Sequence, residues 1–146
     1  MSRSGYTEDI EDSFELGRWR GVVASAIRGK RGQAFLREMI EALDAMPEKR
    51  LIAHELTCQS PAGVYQFAAP DQVCAIGSVG ARRKIDMGRL DPEDHDTLAG
   101  VFGIASPLVQ EIEWVNDDWD NTTPEQRWVR VRRWAVGCIK EGRDHG

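Results

Sequence analysis

The sequence predicts an α+β fold that is mostly helix: a helical hairpin, then a small antiparallel β hairpin or meander, then three further helices toward the C-terminus. Three observations carry that expectation. Apolar residues recur at helical spacing over residues 18–46 and again in short stripes beyond residue 90. Between these stretches the helical period is lost, and residues 50–85 show loose alternation broken by turn clusters. With 41% hydrophobic and 29% charged residues, a chain of 146 suits one core and one domain, residues 1–146.

Residues 1–12 hold Gly5 and a run of Asp and Glu with few apolar anchors, which reads as a flexible arm. From about Asp12, Trp19, Val22, Val23, Ala26 and Ile27 mark a first helix. Gly29 and Gly32 interrupt it, and Phe35, Leu36, Met39, Ile40, Leu43 and Met46 form a second apolar face that Pro47 ends. The result is a hairpin with a basic tip. LIAHELTC, SPAG, APD and VCAIGSVG then suggest two or three short strands, the last run also being compatible with a buried helical turn. Asp91 reads as an N-cap before Pro92, with Leu98, Val101 and Phe102 on the buried face and Gly103 as the stop. Ser106 and Pro107 open the next helix, with Leu108, Ile112 and Val115 inward. Thr123-Pro124-Glu125-Gln126 has the form of a capping box ahead of Trp128, Val131, Ala135, Cys138 and Ile139.

Charge is sorted into blocks. Residues 86–126 hold one basic and eleven acidic side chains, whereas residues 18–50 hold eight basic and four acidic, within a net charge of −5. Such blocks either compensate one another internally or present a face to a partner of opposite sign. The candidate acidic face is Glu111, Glu113, Asp117 and Asp118, with Trp114 and Trp119 beside it. The candidate nucleic-acid contact is the basic tip Arg28, Lys30 and Arg31, which lacks the spacing of a P-loop. Trp19, Trp128 and Trp134 are spaced as core anchors.

Chemistry-bearing motifs are sparse. Cys58, Cys74 and Cys138 form no C-x-x-C pair, so neither a disulfide framework nor a zinc knuckle is signalled. His54, His95 and His145 lack zinc spacing, and NDDWDN lacks the glycine and distal glutamate of a calcium loop. No local motif assembles nucleophile, base and orienting group, so the expectation is a non-enzyme without metal or cofactor. No signal-peptide pattern and no membrane-length apolar run is seen, which favours the cytoplasm.

Two resemblances add context. TLAGVFGIASPLVQEI, residues 97–112, resembles the DNA-binding helix-turn-helix, with Ala99 permitting close approach and Gly103 in the turn. The would-be recognition helix, however, carries Glu111, Glu113, Asp117 and Asp118 and no Lys or Arg, which phosphates repel. The run ASAIRGKRGQAFLREMIEALDAMPEKRLIAHEL, with VCAIGSVG and FGIASPLVQEIEWVND, resembles a family of small uncharacterised proteins encoded by bacteriophages and prophages, departing from it in the longer SPAGVYQFAAPDQ turn. That resemblance implies a phage-encoded accessory protein acting by macromolecular binding. The expected role is an anti-CRISPR-like inhibitor of a bacterial defence system, using the acidic helix against a basic host or phage protein. The alternative is a nucleic-acid-binding regulator. Monomer and homodimer both remain open.

Overall fold

In the computed structural model, the described residues are 13–56, 73–117 and 122–140. They form six helices: α1 (Ser13–Arg28), α2 (Lys30–Ala45), α3 (Ala75–Arg82), α4 (His95–Phe102), α5 (Ser106–Asp117) and α6 (Pro124–Cys138), with a 3-10 turn at Met87–Arg89. Helix accounts for 72% of the described residues and no strand or sheet occurs among them, so the fold is all-α.

The β hairpin or meander expected between residues 50 and 85 is therefore corrected. Two backbone hydrogen bonds, Ile52 N to Val73 O (3.0 Å) and Cys74 N to Leu56 O (3.2 Å), tie the bent 52–56 stretch to the start of α3 and go no further among the described residues. The run VCAIGSVG enters a helix instead. Cys74 caps it, its Sγ accepting from Gly77 N at 3.3 Å. Six consecutive residues, Ala75 to Gly80, are buried, so the run is apolar because α3 is enclosed on several sides, and not because it pairs as a strand. A Cβ on Gly77 would lie 2.0 Å from Leu56 O, so this glycine admits the 52–56 stretch against the helix. The SPAG and APD turns, and the arm 1–12, fall outside the described residues.

The two helices expected up to residue 46 form as α1 and α2, with the break between them narrowed to Gly29. Gly32 is a packing residue within α2: a Cβ there would sit 2.0 Å from Ala26 O, so its absence lets α1 close on α2. The start of α4 moves one turn past Asp91. Asp91 Oδ1 accepts from Glu93 N (2.9 Å) in a preceding turn, and Asp94 is the N-cap, accepting from Thr97 N (3.2 Å). Gly103 ends α4 in the left-handed region at φ 76°, a conformation glycine adopts without steric cost. The capping box of α6 is complete: Thr123 Oγ1 accepts from Gln126 N (3.0 Å), and Gln126 Oε1 accepts from Thr123 N (2.9 Å).

Helix α5 lies at the centre, packed against α1, α3, α4 and α6, while α2 packs against α1, α3 and α6. Leu36, Met39, Leu43, Leu98, Phe102, Leu108 and Ile112 anchor one continuous core. Phe35 and Phe102 meet edge to face at 6.1 Å, and the Arg83 guanidinium lies over both rings. No helix among the described residues is long and apolar enough to cross a membrane.

Candidate functional site

The C-terminal half of α5 borders a small cleft lined by His54, Leu56, Cys74, Pro92, Glu113 and Asp117. Its floor is held by Asn116, which is 1% exposed: Oδ1 accepts from Ala75 N at 2.9 Å, and Nδ2 donates to Ile52 O at 2.9 Å and to Asp117 Oδ1 at 2.7 Å. Asp117 Oδ1 also accepts from His54 N (2.9 Å), a contact made with His54 in the left-handed region at φ 70°. Glu113 projects between these groups and the start of α4. Its Oε1 shares a 3.0 Å hydrogen bond with His95 Nε2, and its Oε2 is buried without a hydrogen-bond partner among the described residues.

Burial first, and then the nearby charges of Asp117, Glu93 and Asp91, push the Glu113 carboxyl up to about 8. The contact with His95 has ion-pair geometry, but a carboxyl in that environment holds its proton through neutrality. Cys74 is inert for the same dominant reason: burial raises its thiol to about 12, leaving no useful thiolate. The cleft has room for little more than a water-sized molecule, far below the ~300–1,000 Å³ typical of small-molecule sites. It has a proton-holding carboxyl and no room for a substrate of ordinary size.

The acidic residues singled out in the sequence do not form one solvent-facing stripe. No residue of α5 is exposed. Glu111 is 3% exposed and both its oxygens accept from Arg20, Oε1 from Nη1 and Oε2 from Nη2, each at 2.9 Å. Glu113 lines the cleft, Asp117 is bound to Asn116 and His54, and Trp114 is half-buried against the core. Asp118 and Trp119 lie outside the described residues. Exposed acid gathers one helix earlier, at Asp91, Glu93, Asp94 and Asp96 around the start of α4. The α4–Gly103–α5 unit has the outline of two helices and a tight turn. Its second helix is enclosed by four others and leaves no face to lie in a DNA groove.

The three tip residues fare differently. Arg28, Lys30 and Arg31 are all exposed around Gly29, and none forms an ion pair with a described residue. Gln33 holds the tip onto the end of α6, its Nε2 donating to Ile27 O (2.8 Å) and Cys138 O (2.9 Å). Lys140 Nζ donates to Arg28 O at 3.2 Å, which adds a further cation. Several other arginines have partners within the chain, some of them at its surface. Arg82 pairs with Glu41, Arg83 with Glu38 and Arg132 with Asp44, while Arg127 donates to Leu51 O and Arg130 to the carbonyls of Val115 and Asn116.

Sequence reasoning passed over the Glu113–His95 contact and the Asn116 clamp. The only signal for either was position: Glu113 and Asn116 fall within an apolar helical run that the fold encloses. Compared with known proteins, the chain matches no family model, no curated protein and no solved structure.

Proposed function

We propose that the chain is a non-catalytic protein that binds another macromolecule, with the basic end formed by Arg28, Lys30 and Arg31 as its contact with a nucleic-acid backbone. One observation carries this reading: the fold pairs off Arg20, Arg82, Arg83 and Arg132 internally and leaves the tip cations exposed together. They surround Gly29, where α1 ends and α2 begins, so the field there is set by the charges of these three side chains. Three phosphate contacts imply a log–log salt slope of about −2.7, or roughly fortyfold weaker binding at about 200 mM than at about 50 mM salt. Titration against random-sequence DNA at those salts tests it, alongside the triple variant Arg28→Glu, Lys30→Glu, Arg31→Glu. Binding that is absent, salt-insensitive or retained by the variant would refute the reading.

A second reading is favoured by the exposed Asp91, Glu93, Asp94 and Asp96. In it the acidic end engages a basic protein surface, and the phage-family resemblance suggests inhibition of a bacterial defence complex as the role. Glu93→Lys with Asp96→Lys spares the Asp94 cap and discriminates: this reading requires loss of a protein partner, the first requires unchanged nucleic-acid binding.

A further inference from the structure

We infer that the nucleic-acid contact is a wider cationic band for duplex DNA, in which Arg37 and Lys140 join Arg28, Lys30 and Arg31; the inference rests on the nucleic-acid reading above. The band is drawn from three segments: the end of α1, the first half of α2 and the chain just past α6. All of these side chains are exposed, and none forms an ion pair with a described residue. Main-chain carbonyls, and not carboxylates, hold the two added cations. Arg37 Nη2 donates to Lys140 O at 3.0 Å, and Lys140 Nζ donates to Arg28 O at 3.2 Å. A neutral acceptor leaves the charge uncompensated, and one hydrogen bond each leaves most N–H donors of a guanidinium and an ammonium available to phosphate.

Gln33, 8% exposed, fixes the arrangement from beneath. Its Nε2 donates to Ile27 O (2.8 Å) and Cys138 O (2.9 Å), and its Oε1 accepts from Lys140 N (2.8 Å). Both polar ends of this side chain are spent on joining the ends of α1 and α6 over α2. The acids that follow Arg37 on α2 do not interrupt the band, because Glu38 is held by Arg83 and Glu41 by Arg82. Lys30 and Arg37 share one exposed face of α2 and stand about 10.5 Å apart along its axis, so the band meets several phosphates and not one. The aromatic residue of this stretch, Phe35, is 3% exposed, so no ring is offered to a base. Single strands draw much of their affinity from stacking on aromatic side chains. A duplex instead presents one charge per ~1.7 Å of axis, against ~3.4 Å for a single strand of it. Cations without an aromatic platform therefore select the duplex.

The test titrates the full chain against a fluorescent random-sequence duplex and a single strand of equal length, between about 50 and 200 mM salt. We expect the duplex to bind more tightly. Arg28, Lys30 and Arg31 alone set a log–log salt slope of about −2.7; the wider band steepens it to about −4.5, or roughly five-hundredfold weaker binding across that range. Arg37→Ala and Lys140→Ala should each take about 0.9 off the slope. Arg89→Ala, which removes an exposed cation of the 3-10 turn outside the band, should leave it unchanged. Glu141 and Asp144 follow Lys140 in the sequence. A slope that reaches about −4.5 only after Glu141→Gln with Asp144→Asn means that the chain's own acids fill the band, and overturns the inference. A slope near −2.7 that neither Arg37→Ala nor Lys140→Ala moves, or tighter binding of the single strand, also overturns it and leaves the basic-end reading standing. Failure of both probes to bind overturns both.

Discussion

Glu113→Gln should flatten the pH dependence of stability. In the folded chain the Glu113 carboxyl titrates near 8, against an ordinary value of 4.5. Each tenfold change in proton affinity corresponds to about 1.4 kcal/mol, so ionising Glu113 costs the native state at most about 4 to 5 kcal/mol. Its 17% side-chain exposure and the adjacent His95 reduce that ceiling, and about 2 to 3 kcal/mol is the expected working magnitude. The folded value lies above the unfolded one. Protonated Glu113 thus supports the fold fully below about 4.5, and this support is lost as pH rises toward 8. Glutamine keeps the shape and the neutral hydrogen-bonding capacity while removing the titration. Urea unfolding between about pH 5 and pH 8.5 should show wild type losing stability with rising pH relative to Glu113→Gln, the two converging at the acid end. Parallel curves across that range would sink the assignment of a buried, proton-holding carboxyl.

Two further outcomes follow from the packing. Arg20→Ala leaves the nearly buried Glu111 carboxylate without its bidentate partner, and should cost about 3 kcal/mol in urea unfolding, with Glu111→Gln in the same background recovering part of it. Gly32→Ala and Gly17→Ala should differ in sign by calorimetry. The first forces a methyl to 2.0 Å from Ala26 O and should cost about 2 kcal/mol or more, while the second meets nothing within 4 Å and should gain up to about 1 kcal/mol of helix propensity.

Periodicity and punctuation made most of the helices legible. Residues 18–46 read as two helices because Phe35, Leu36, Met39 and Leu43 repeat at helical spacing, and the structure buries all four. Thr123 to Gln126 announced α6 because a capping box specifies two hydrogen bonds by local spacing alone. The run 73–80 reads as either strand or buried helical turn because an eight-residue helix buried through six consecutive positions loses the 3.6-residue alternation that distinguishes helix from strand. Asp91 looked like a cap for a related reason: an Asx turn and an N-cap use the same side-chain geometry, and Asp91 and Asp94 divide those tasks. Charge was the least legible feature. The sign of Glu111 is written in the sequence, but its partner Arg20 lies 91 residues away and belongs to another helix.

Internal placement of those acids changes what the net charge of −5 means for a polyanionic partner. Within α5, Glu111 is matched by Arg20 and burial pushes the Glu113 carboxyl up to about 8, so these two acids project little field outward. The exposed acid sits at the start of α4, beside the cleft that Glu113 and Asp117 line. Helix α6 serves as a ruler between that region and the basic tip. Arg130 reaches the last carbonyls of α5, whereas Cys138 accepts from Gln33 at the tip, and eight residues of helix separate the two by about 12 Å. Lys140 and the α1–α2 turn lie at the tip end, where Lys140 Nζ donates to Arg28 O. The Debye length at physiological salt is about 8 Å, so exposed charges that far apart are largely screened from each other. A phosphate approaching Arg28, Lys30 and Arg31 would therefore respond to the local cations more than to the chain total, so a net charge of −5 does not count against the proposed nucleic-acid contact.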